Sequence, residues 1–183
     1  MLIANQKKKE NIAEYVIYMF QIEAIIRSLG LDLEKIYTHY ICQMTSNEDA
    51  RQDVKNWYSE ILEEMKKDKI SEKGHLRRTH EALDELNFLH STLLTTLDDT
   101  EYKEVFSTTS TFIKELQAKD EANMLNDIEI CFTGLYGKLT LKMQKKEISE
   151  ETNEAFDSFT KLLAILSVRY KDFKSGNLKF IQN

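Results

Sequence analysis

The chain has 183 residues, 42% hydrophobic and 31% charged, with a formal net charge of −6. That length suits one domain with a substantial core, and the balance excludes a disordered chain. The acidic total argues against a nucleic-acid partner, and the longest apolar run, Tyr15–Phe20, is far short of the roughly 20 residues of a membrane span.

There is no proline, and glycine occurs only at positions 30, 74, 134, 137 and 176. Both residue types interrupt helices, so their scarcity predicts an all-α, single-domain bundle of about seven helices. The first spans about 6–29, with Ile12, Tyr15, Val16, Met19, Ile26 and Leu29 at helical spacing and Gly30 as its stop. Asp32 caps a short second helix carrying Leu33, Ile36, Tyr37, Tyr40 and Ile41. Ser46-Asn47-Glu48-Asp49 starts a third, whose stripe is Ala50, Val54, Trp57, Ile61 and Met65.

Ser71 is the expected cap of a fourth helix reaching about Leu97, and Asp98-Asp99-Thr100-Glu101 that of a fifth. The polar run Ser107–Thr111 within the fifth reads as an exposed face. A sixth covers about 121–146. It is apolar on two sides, through Leu125, Phe132 and Leu139 on one and Ile130, Gly134 and Leu141 on the other. Such a helix is expected at the centre of the bundle, with Gly134 and Gly137 marking close approach of a neighbour. Ser149 caps a seventh helix ending near Gly176, so the domain is expected over 1–176 with a tail at 177–183.

Met65–Glu72 and Met143–Glu150 echo one another 78 residues apart, each closing one long helix and leading into the next. A basic last turn, an apolar spacer and a serine cap are what any tight helix junction selects, so convergence is favoured over duplication.

Polar residues on apolar stripes are the chief candidates for chemistry. Glu23 projects from the apolar face of the first helix and Glu129 from that of the sixth, while His80, Asn87 and His90 align with the leucines of the fourth. A buried carboxylate needs a partner, so these five form a candidate buried polar cluster. It reads either as a catalytic or ligand cavity or as a satisfied structural layer, the latter favoured. A di-iron carboxylate centre needs two Glu-x-x-His motifs, and only Glu72–His75 fits. No metal or cofactor is therefore expected. Phosphate loops and nucleophile elbows are absent as motifs, and no catalytic residue is identified.

Lys7-Lys8-Lys9-Glu10-Asn11-Ile12-Ala13-Glu14-Tyr15, Gln21-Ile22-Glu23, Glu72-Lys73-Gly74-His75-Leu76, Leu89-His90, Cys131-Phe132, Leu135-Tyr136-Gly137 and Gln144–Ser149 together resemble a Bacteroidetes family of helical proteins described as a domain of unknown function. The resemblance implies a compact helical bacterial protein, with no activity, substrate or cofactor attached to it. Two isolated cysteines, Cys42 and Cys131, and the absence of a secretory pattern at residues 7–23 lead to an expected cytoplasmic location. The leading functional reading is a non-enzymatic protein that binds a protein partner or a second copy of itself. Aromatic residues beyond the core stripes, such as Tyr18, Tyr58 and Phe88, motivate it. The alternative is a small-molecule- or metal-dependent enzyme built on the polar residues of the first, fourth and sixth helices.

Overall fold

Asn11 breaks what the sequence presents as one long first helix. In the computed structural model, which describes residues 2–119 and 125–177, helix α1 spans Leu2–Glu10 and α2 spans Ile12–Ser28. The Asn11 backbone is extended, and its side chain accepts the N–H groups of Ala13 and Glu14, so a new N-terminus starts there. Asp32 caps α3, Leu33–Ile36, which passes through a π-helical turn at Tyr37–Ile41 into α4, Cys42–Met44. The wider turn shows in the Cys42 N–H bonding back to the Tyr37 carbonyl, five residues earlier. Arg51 holds this segment by donating to the carbonyls of Cys42 and Thr45.

Helix α5 spans Glu48–Lys67 behind an Asn47 cap. Helices α6, Arg77–Thr95, and α7, Thr100–Gln117, follow, then α8, Asp127–Met143, and α9, Glu150–Lys174. Asp99 and Ser149 cap α7 and α9 as the sequence predicts. Ser71 caps nothing: α6 begins six residues later, after a non-helical stretch in which Gly74 has φ +93°, and its N-cap residue is Leu76. Helix α8 begins later than expected as well, since Asn126 is its N-cap; residues 121–124 of the predicted helix lie outside the described residues. Most of the predicted tail, residues 178–183, does too.

The described residues contain helices and no strand, and one apolar core runs from Ala4 through Tyr170. Helix α2 carries the longest buried stripe, Ile12, Tyr15, Val16, Met19, Phe20, Ile22 and Ile26. Helix α8 packs against α2, α6, α7 and α9. Its first half supplies the fully buried Ile128, Cys131 and Phe132, whereas from Leu135 onward it is half-buried and Met143 is 77% exposed. Gly134 does mark a close approach, because a Cβ there would lie 2.7 Å from the Phe159 ring; at Gly137 a Cβ would meet nothing within 4 Å.

The echoed junctions differ in construction. Both helices stop with paired backbone bonds of the Schellman type, Ile70 N–H to Met65 and Lys146 N–H to Leu141. The left-handed residues are Lys69 and Lys145, 76 positions apart where the echo aligns residues 78 apart. Only Ser149 of the two serines caps a helix, so the second junction carries the expected serine cap and the first does not.

Candidate functional site

The Glu23 side chain is completely buried, and the α6 N-terminus folds around it. Its Oε2 accepts a 2.6 Å bond from His75 Nδ1; its Oε1 accepts from the Leu76 N–H and the Thr79 hydroxyl, each at 3.0 Å. Helix α6 has no capping side chain of its own, so a carboxylate from α2 satisfies the orphan donor at Leu76 and complements the positive helix end. One turn along α2, Arg27 lies 4.0 Å from Glu23 and donates to the carbonyls of Ile70 and Gly74. Two side chains four residues apart thus pin the whole α5–α6 connection. The His75 ring stacks on Phe20 with centroids 4.0 Å apart, and Phe20 meets Tyr136 edge-on.

Of the predicted partners, only Glu23 belongs to this set. His80 is exposed; its ring stands 5.7 Å from that of His75 and makes no hydrogen bond to a described residue. Asn87 is half-buried and unpaired among the described residues. Glu129 is not part of a buried stripe: it completes the α8 capping box, accepting the Asn126 N–H at 2.9 Å while Asn126 accepts from Glu129 N–H. The late start of α8 explains the difference, because Glu129 sits in its first turn. Sequence spacing alone missed His75 and Thr79; the signal was Gly74, which separates His75 from the α6 stripe.

His90 forms a second polar set. Its Nδ1 lies 2.7 Å from the Tyr102 hydroxyl, and its Nε2 lies 3.7 Å from Asp127 Oδ2, an electrostatic contact beyond hydrogen-bond length. The imidazole, with the Gln117 amide that donates at 3.0 Å, holds the Asp127 carboxyl below the usual aspartate range against the effect of burial. Burial pushes the Tyr102 phenol and the Cys131 thiol up, which favours the protonated form of both at neutral pH. Tyr18 and Tyr58, expected at an exposed surface, instead lie in an aromatic cluster with Trp57 and Tyr40, and their buried hydroxyls have no hydrogen-bond partner among the described residues. Burial pushes the Tyr18 phenol up to about 12. Phe88 alone of the three is exposed, at 62%.

No group of three or more His, Cys, Asp or Glu side chains that could hold a metal ion occurs among the described residues. The open recesses lie elsewhere. A hollow of about 570 Å³ runs between α7, α8 and α9, floored by Phe112, Leu116, Gly134, Gly137, Phe156 and Phe159. A second, of about 540 Å³, continues along α7 and α9 and shares Phe112. The Thr109 hydroxyl, buried and donating to the Val105 carbonyl, lies 2.8 Å from that of Ser158, so the seam between these helices is closed by small polar residues rather than by bulk. The predicted exposed face of Ser107–Thr111 is therefore interrupted by a buried residue. The family model described as domain of unknown function DUF4924 matches residues 1–177. The chain belongs to this family. Three of the sequence stretches that mark the DUF4924 resemblance, those containing Glu23, His75 and Tyr136, meet around the Phe20 ring. No curated protein and no solved structure matches the chain. No helix among the described residues is long and apolar enough to cross a membrane.

Proposed function

We propose that this DUF4924 protein is a non-enzymatic, cytoplasmic helical protein that works by receiving a helix of a protein partner in the α7–α8–α9 hollow. The observation that carries this reading is Gly137. A glycine inside a helix costs about 1 kcal/mol relative to alanine, and at Gly137 no neighbour accounts for it, since a Cβ would face open space. Its effect is to lower one wall of an apolar recess. Gly134, by contrast, is required internally by Phe159.

The polar residues support the same reading. Glu23, Glu129 and His90 each engage a separate set of partners, and neither Glu23, His75 nor His90 lines either hollow. A catalytic constellation needs groups converging on a space that substrate can enter. These groups instead fix helix starts and connections, so we assign them structural roles. Two unpaired thiols, Cys42 and Cys131, fit a reducing compartment.

A photoreactive amino acid at Leu141, on the wall of the hollow, tests the proposal against the same residue at the exposed Glu63 on α5. In cells, the expected result is a discrete protein adduct from position 141 that Gly137→Leu abolishes, with none from position 63. No adduct at 141, or the same adducts from both positions, would overturn it.

A further inference from the structure

Resting on the reading of the α7–α8–α9 hollow as a docking surface, we infer that its partner is a basic amphipathic helix. The two hollows share Phe112 and follow the α7–α9 seam from Glu104 to beyond Leu116. At 1.5 Å per residue that is about 18 Å, more than three helical turns. The first hollow has an apolar floor, while the second has only Val105 and the shared Phe112 among polar and charged residues. The trough therefore suits an amphipathic helix whose apolar anchors at i, i+3, i+4 and i+7 seat mainly in the first hollow.

Charge selects the kind of helix. Glu104, Glu115, Glu151 and Glu154 stand exposed on the rim, and none forms an ion pair with a described residue. Asp157 adds a fifth carboxylate, already paired with Lys138 at 3.0 Å. Against the four unpaired carboxylates stand two rim lysines, Lys119 and Lys161. An acidic helix would bring like charges together along the trough, whereas lysines or arginines flanking an apolar stripe would meet carboxylates on both α7 and α9. The apolar floor supplies contact area and the rim supplies selection.

The probe is a fluorescein-labelled synthetic amphipathic helix of leucine and lysine, about 18 residues long, with a leucine–glutamate helix of the same pattern as its counterpart. Anisotropy on the full chain is expected to show binding of the lysine peptide alone. Gly137→Leu, which leaves the net charge unchanged while filling the hollow, is expected to weaken it at least about tenfold. Glu151→Lys together with Glu154→Lys is a second variant on an exposed helix face, expected to weaken binding and its salt dependence together. Lysine-peptide binding that survives both variants would overturn the inference, as would equal binding of the two peptides. In the latter case sensitivity to Gly137→Leu would leave the docking reading standing. Self-adducts from position 141 would replace the basic helix with a second copy and overturn the inference in the same way. Failure of both peptides together with no adduct at 141 removes the docking reading as well.

Discussion

At Glu23 a single carboxylate accepts three hydrogen bonds from a segment more than fifty residues away in sequence. Two of its donors, the Leu76 N–H and the Thr79 hydroxyl, are fully buried and have no route to water. Removing the acceptor therefore strands them, and a stranded buried polar group costs about 1–3 kcal/mol. Glu23→Ala is expected to destabilise the protein by about 3–5 kcal/mol, the cost of breaking a buried charged contact from one side. His75→Ala should cost less, because Glu23 keeps its other two donors and His75 is partly exposed. His75→Phe should recover part of that loss by preserving the stack on Phe20. Urea denaturation of the three variants checks the order. An equal loss for Glu23→Ala and His75→Ala would mean that the imidazole, and not the helix start, is what the carboxylate serves.

Among the elements, α8 shows most clearly how far local pattern reaches. Its two-sided apolar character correctly places it among four neighbours, because hydrophobic periodicity reports burial directly. The pattern could not separate Gly134 from Gly137, since both are simply glycines in a helix, yet one faces an aromatic ring and the other faces space. Opposite signs are therefore expected on substitution. Gly134→Ala forces a Cβ to within 2.7 Å of the buried Phe159 ring, and should cost about 1–3 kcal/mol as an overpacked core does. Gly137→Ala should stabilise by about 0.5–1 kcal/mol through helix propensity alone. Thermal unfolding of both variants decides the matter, and destabilisation by Gly137→Ala would show that the hollow is closed in solution. The misplaced start of α6 has a related cause. Ser71 carries every local mark of a cap, but the acceptor at this helix end comes from α2, and no window of sequence contains that contact. Glu129 fails for the reverse reason: its role is local, and only the position of the helix start distinguishes a capping glutamate from one on a buried stripe.

Across the whole molecule, the connections that tie distant helices together are charged, so stability should depend on pH in a predictable sense. Asp99 caps α7 through the Tyr102 N–H and accepts a 2.7 Å bond from Arg169 on α9. Burial opposes its ionisation, but the Arg169 guanidinium and the capped N–H outweigh that and hold the carboxyl below the ordinary aspartate value. Asp127, beside His90 and Gln117, is lowered in the same direction. In the unfolded chain such groups titrate near about 3.9. A carboxyl whose folded value is depressed contributes stability that is complete above its unfolded value and is lost as pH falls through the folded one. The Asp99 contribution, set by a guanidinium and a backbone N–H, should thus be constant near neutrality and fade below about pH 4. Asparagine at position 99 retains a capping oxygen but not the charge, so Asp99→Asn isolates the α7–α9 pair. The expected gap from the parent protein is about 1–2 kcal/mol above pH 5, shrinking towards zero as the parent carboxyl protonates. Comparing the two proteins at each pH cancels the general effect of titrating a chain with net charge −6. A gap of the same size at pH 3 and pH 7 would show that Asp99 holds α7 against α9 by shape and hydrogen bonding, with its charge playing no part.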